Sequence, residues 1–287
     1  MPRAIMPAVK PYAYLAFNTH HGDAGLALAV PSCAVSAGVL AVTLLLAEIA
    51  RRLVNRITEQ GSLLSQLLHE VVAAGELCAC CFELCVIADN YGVWVYAVCL
   101  WALTVWWGTR WGSATACPYI HYEDVVEGNT DVVTALLKTA AQLGGGFAIY
   151  NYIQYIWELE LAETHIDKAD EDCVADLHVT MFQGAGIEGA ATCVARVASR
   201  IISQREIPLG NYIDAFVGTS MVIAAFDLTG GYLNPILASS LKYDCEGNTF
   251  EEHVIVYWVG ATLGAIASIY LANHPTIQKL LGKPKAD

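Results

Sequence analysis

The stretch Ala225-Phe226-Asp227-Leu228-Thr229-Gly230-Gly231-Tyr232-Leu233-Asn234-Pro235-Ile236 decides the fold. It carries an apolar helix into a glycine-rich bend and then into an Asn-Pro step. Paired glycines allow a tight backbone turn, Asn234 suits the cap of a new helix, and Pro235 suits its first position, where no amide donor is needed. One helix therefore ends and another begins inside an apolar region.

That region belongs to an apolar chain. Of its 287 residues 56% are hydrophobic and only 15% charged, and the mean hydropathy is +0.46, too apolar for an ordinary soluble domain. The apolar residues fall into seven stretches, about 24–50, 66–88, 93–109, 132–156, 178–202, 211–229 and 253–272. Most approach the ~20 residues that cross a bilayer as helix. The first stretch is too long for a cleaved signal and ends in Arg51-Arg52, so it reads as a membrane helix. The net charge of −13 is concentrated in the run from Glu158 to Asp176, read as a solvated loop, and no nucleic-acid partner is expected.

The stretches repeat. His69-Glu70-Val71-Val72-Ala73-Ala74 and Ile187-Glu188-Gly189-Ala190-Ala191-Thr192 each place a carboxylate early in an apolar helix. Glu70 precedes Cys117-Pro118 by 47 residues, and Glu188 precedes Asn234-Pro235 by 46. Each unit reads as a helix with Glu, a second helix, a broken segment started by proline, and a third helix. Three crossings per unit invert the second copy, so the two proline-led half-helices enter from opposite faces and meet near the midplane. A backbone break at that depth is tolerated only where protein buries it or a wet cavity borders it, which implies a pore or a binding site.

The motif Asp-x-Thr-Gly-x-x-x-Asn-Pro ending at Asn234-Pro235 resembles the second pore motif of aquaporins, with Ile236 where the family usually has Ala. Ala141-Gln142-Leu143-Gly144-Gly145 resembles the third aquaporin helix, and Tyr257-Trp258-Val259-Gly260-Ala261-Thr262-Leu263-Gly264-Ala265 the sixth. Small residues there let helices approach closely. The resemblance covers roughly residues 66–272; it is strong in the second repeat and weak around Cys117. It implies an all-α membrane protein of the aquaporin fold, with two inverted three-helix repeats, each carrying a re-entrant half-helix, and an added N-terminal helix. Seven crossings put Arg51, Arg52 and Arg56, then Arg196, Arg200 and Arg205, then Lys279, Lys283 and Lys285 on one face, the cytoplasmic one, with run 158–176 opposite. The added helix 24–50 either spans the membrane or lies along it.

The resemblance also assigns roles. Asn234 should cap its half-helix and donate hydrogen bonds to permeating molecules. At the first motif, Cys117, Pro118 and Tyr119 stand where Asn and its followers are usual, and a thiol is a weak donor and a poor cap. The positive ends of both half-helix dipoles still disfavour cations at the centre. Leu237 occupies the position of a common mouth-narrowing Arg, and Val222 that of a His found in water-selective members. The matching position of the second helix falls near Ala97, with Tyr96 beside it. The expected constriction is apolar and wide, favouring small neutral solutes such as glycerol or hydrogen peroxide alongside water. These departures resemble the superaquaporin branch, found mostly in the endoplasmic reticulum and other internal membranes; the plasma membrane stays open.

Glu70 and Glu188 have two readings, as carboxylates that support the half-helix backbones or as proton carriers. His121, Glu123 and Asp124, following Pro118, either line a vestibule or form its solvated rim, and His69 and His178 read as helix-end residues. Cys78, Cys81 and Cys85 share a helical face without the His or second Cys pair of a metal site, and read as packing; no metal and no cofactor are expected. Cys173 and Cys245 fall on the non-cytoplasmic side, where an oxidising lumen would permit a disulfide, although spacing alone does not set their distance. Enzyme motifs such as a phosphate-binding glycine loop or His-Glu-x-x-His are missing, so the chain does not read as an enzyme.

The sequence thus divides into a tail 1–23, an added helix and linker 24–65, repeats 66–156 and 178–272, an acidic connection 157–177 and a basic tail 273–287. The expected function is passive flux of water and small neutral solutes through a homotetramer in a lipid bilayer. A coupled transporter using Glu70 and Glu188, or a non-conducting structural relative with Tyr119 and Ile236 closing the centre, are the rival readings.

Overall fold

The computed structural model describes residues 29–280 together with Ala13–Tyr14. Among these, Ala13–Tyr14 pairs antiparallel with Ala29–Val30 ahead of the first helix. The rest of tail 1–23, the start of stretch 24–50, and residues 281–287 with Lys283 and Lys285 lie outside the described residues.

Five described helices are long and apolar enough to cross a membrane: Ser32–Ile57, Leu63–Tyr91, Val132–Glu158, Gly210–Thr229 and Phe250–Ala272. Val93–Arg110 and Met181–Gln204 are the other long ones. Two short helices, Pro118–Val126 and Pro235–Lys242, each begin at a proline. Among the described residues helices 63–91, 93–110, 118–126 and 132–158 are answered by 181–204, 210–229, 235–242 and 250–272, the two-copy order that the sequence repeat predicts, and the long apolar helices are those of an integral membrane protein.

Within each repeat the first and third helices close on glycine. A Cβ on Gly145 would strike the Val71 carbonyl, and one on Gly264 would strike the Gly189 carbonyl. Only hydrogen at these positions permits backbone to touch backbone, the membrane substitute for hydrophobic packing. A π-helical stretch, Val254–Gly260, precedes the second of these contacts, and the Gly260 backbone lies against Ala185.

The first helix runs on to Ile57 instead of stopping at the arginines. Arg51 and Arg52 both pair with Glu48 at i,i+3 and i,i+4, and Arg51 also reaches the buried Glu76 at 2.5 Å, so the charges extend the helix rather than end it. Its buried stripe, Ser36, Val39, Thr43, Ala47, Arg51 and Val54, packs against helix 63–91, while Val42, Leu45, Leu46, Ile49, Leu53 and Ile57 stay exposed, as a lipid-facing surface requires. The acidic connection is not simply solvated. His165 in a 3-10 turn is fully buried, 3.0 Å from Glu83, and Trp157 donates to the same carboxylate. Cys173 and Cys245 are disulfide-bonded with Cα atoms 4.9 Å apart, and backbone bonds between Cys173, Ala175 and Glu246 continue that tie.

Candidate functional site

The bends before the two half-helices explain why each repeat carries a glutamate. Residues ahead of a helix N-terminus leave amide donors without intrahelical acceptors, and burying them unpaired is costly. Glu70 accepts from the amides of Thr115 and Ala116 at 3.1 and 3.0 Å and from Gln142 Nε2 at 2.8 Å. Glu188 accepts from the Thr229 hydroxyl at 2.6 Å and from the amides of Tyr232 and Leu233 at 3.2 and 2.7 Å. The two sites match in geometry, and both carboxylates are buried. Gly231 bends at φ +62, where a Cβ would strike the Val222 carbonyl, so this turn admits no side chain.

Each half-helix starts where its bend ends. Asn234 Oδ1 accepts from the Ile236 amide at 2.9 Å, capping the second. Cys117 makes no side-chain cap to the first. The tips touch: Asn234 Nδ2 donates to the Ala116 carbonyl at 2.9 Å, and the Tyr119 hydroxyl donates to the Leu233 carbonyl at 2.9 Å. Both helix N-termini therefore converge, and their positive ends with them.

Beside this junction lies a cavity of about 690 Å³. One end of its lining is charged, with Asp89, Lys168, Asp176 and Lys242; the middle holds Cys117, Tyr119 and Asn234; the other end reaches Arg196, Ser199 and Asp214 at the arginine-rich face. Between the charged end and the junction the wall is largely apolar, with Tyr96, Val222, Phe226 and Leu237, and the rings of Tyr96 and Phe226 are 5.1 Å apart. One amide hydrogen of Asn234 is used on Ala116; the other has no acceptor among the described residues, on a side chain that lines the cavity. At the charged end, burial works against the Lys168 ammonium, but the hydrogen bond to Glu171 and the charge of Asp89 outweigh it and hold its pKa above the usual lysine value. Lys242 pairs with Asp176 at 3.1 Å, and Asp176 also accepts from the Tyr232 hydroxyl.

Several expected site residues sit elsewhere. Ala97 does not line the cavity; its neighbour Tyr96 does, because one residue turns a helix by ~100°. Ile236 is fully buried against Gly146 and does not line the cavity, and Pro118 and Pro235 are buried as first helical residues. His121 and Glu123 are buried and line neither vestibule nor rim: His121 lies 3.0 Å from Glu70, and Glu123 takes two bonds from Arg196, at 2.9 and 2.6 Å, and one from Arg200 at 2.7 Å, while Asp124 is half-buried and does not line the cavity. His178 lines the cavity, whereas His69 binds the Ser65 carbonyl of its own helix. Cys78 is buried packing, but Cys81 and Cys85 line the cavity.

Sequence reasoning missed Glu76 and Glu83. Glu76 joins Arg51 to the Trp111 indole, which donates at 2.8 Å and lines the cavity. The available signal was a carboxylate within an apolar helix, which always needs a partner.

No protein-family model matches the sequence. The aquaporin-11 of Milnesium tardigradum is 28% identical over 236 residues, covering 82% of this chain and 85% of that one. Aquaporin-12 of Mus musculus is 27% identical, covering 80% and 81%. This chain is similar to aquaporins. Aquaporin-11 of Equus caballus is 24% identical, with 85% and 93% covered. The X-ray structure of the aquaglyceroporin from Plasmodium falciparum aligns over 84% of this chain at 14% identity and a TM-score of 0.45. The aquaporin resemblance therefore extends beyond the pore motifs to four-fifths of the chain, on the aquaporin-11 and aquaporin-12 side.

Proposed function

We propose that this aquaporin-like chain passes water and small neutral solutes, glycerol and hydrogen peroxide among them, down their gradients, with no chemical step and no cofactor. The observation that carries the reading is the cavity running past Asn234 and Cys117 from the paired lysines at one face to Ser199 and Asp214 at the other. A permeating molecule meets one free amide donor at the half-helix junction, where water-conducting symmetry would supply two. The two dipole ends oppose a cation there. Leu237 and Val222 leave the wall between the junction and the acidic face without a fixed charge, which favours neutral solutes carrying some apolar surface. Glu70 and Glu188 accept bonds from the bends that they support, so neither is free to shuttle a proton with the transported molecule.

An internal membrane such as the endoplasmic reticulum, and assembly as a homotetramer with one pore per subunit, complete the reading.

Stopped-flow shrinkage of proteoliposomes under a solute panel tests it. Water and glycerol permeability above empty liposomes is expected. Asn234→Asp removes the bond to Ala116 and puts a carboxylate against that carbonyl, and should lower flux about tenfold. Permeability no greater than that of empty liposomes would overturn the proposal.

A further inference from the structure

At the arginine-rich face, helix 32–57 and the turn after Arg110 enclose a second cavity, of about 410 Å³. Arg51, Arg52 and Arg110 line it, with His69, against a single carboxylate, Glu48. We propose that this cavity binds the phosphate of an anionic lipid headgroup.

The three guanidinium groups are not equally committed. Arg51 is buried and spans Glu48 and Glu76, at 3.2 and 2.5 Å. Arg52 touches Glu48 at 3.0 Å, yet 72% of its side chain is exposed. Arg110 lies 4.5 Å over the Trp106 ring, a cation–π contact that orients the group without neutralising it. The cavity therefore keeps a surplus of positive charge in planar donors that suit phosphate oxygens. The inference rests on the membrane-spanning arrangement, and not on which solute passes.

What selects a lipid over free phosphate is the surface above the cations. Leu45 lies on the same helical stripe as Glu48 and Arg52, one turn toward the bilayer, and is 59% exposed. Ile49 and Val42 are exposed beside it. Cations at the helix end with an apolar lane above them match an amphiphile, headgroup at the interface and chain along the helix. The positive-inside rule puts this face toward the cytoplasm, where basic pockets between membrane helices meet anionic headgroups. Trp111 belongs to both cavities, so a bound headgroup would abut the indole at the mouth of the passage.

Native mass spectrometry of the full chain, released from detergent with phosphatidylglycerol or phosphatidylcholine added, tests this. Wild-type protein should retain phosphatidylglycerol preferentially, and millimolar inorganic phosphate should leave that lipid in place. Arg52→Ala with Arg110→Ala should weaken phosphatidylglycerol retention about 30-fold while phosphatidylcholine adducts stay unchanged. Arg110→Gln alone, expected to cost about fivefold, keeps the test available should the double change not fold. Arg205→Ala, on the same face but outside the cavity, should retain lipid as wild type does. No preference in the wild type, undiminished retention in the cavity variants, an equal loss in Arg205→Ala, or displacement by inorganic phosphate would overturn the proposal.

Discussion

Replacing Glu188 by Gln separates support of the pore backbone from proton carriage. The carboxylate is a two-sided acceptor: Oε1 takes the Thr229 hydroxyl and the Tyr232 amide, and Oε2 takes the Leu233 amide at 2.7 Å. Glutamine has one acceptor oxygen, so its amide nitrogen must face a donor on one side or the other. The less damaging orientation gives up Leu233. That loses a charge-assisted bond of ~1.5–3 kcal/mol and leaves a buried N–H against another N–H at ~1–3 kcal/mol, for a net cost of about 3–5 kcal/mol. In detergent this should lower the temperature at which half the protein stays monodisperse by about 10 °C. Wild-type flux in proteoliposomes should not respond to an imposed pH gradient. If Glu188→Gln melts like wild type, or if wild-type flux follows the gradient and the variant's does not, the support role is wrong.

Arg51→Met leaves Glu76 buried beside Trp111 without its cation and should cost about 3–5 kcal/mol, whereas Arg51→Met with Glu76→Gln should recover most of that loss. The same melting assay decides it, and additive costs would deny the coupling. Alkylation followed by intact-mass measurement should label two more cysteines after reduction than before, reporting the Cys173–Cys245 bond; equal labelling would deny it.

What the sequence made legible was whatever has a fixed spacing. The nearly equal Glu-to-proline separations, the Asn234-Pro235 step and the glycines at 145, 260 and 264 each constrain backbone, and backbone constraints survive in one dimension. What it hid depends on how helices are rotated against one another. Arg51 seemed to end a helix because its partner Glu76 lies on another one, and a hydropathy average over helix 63–91 absorbs three buried carboxylates without trace. His165 sat in an acidic run that looked solvated, since nothing local pointed to Glu83 across the sequence. Of the neighbouring pair Tyr96 and Ala97, both named from the sequence, only Tyr96 lines the cavity, since one residue of helix rotation moves a side chain from wall to flank. Cys117 was readable as a poor cap, but the bond from Tyr119 to Leu233, which helps hold the two tips together, was not.

That tip-to-tip bonding sets a limit on how such a molecule can be regulated. Halves stitched together through Ala116, Tyr119, Leu233 and Asn234 form one stiff body at mid-depth, unsuited to the rocking by which carriers expose a site first to one compartment and then to the other. A closure that keeps these bonds would have to act at the ends of the cavity, where Trp111 is held by Glu76 and the acidic segment by its disulfide.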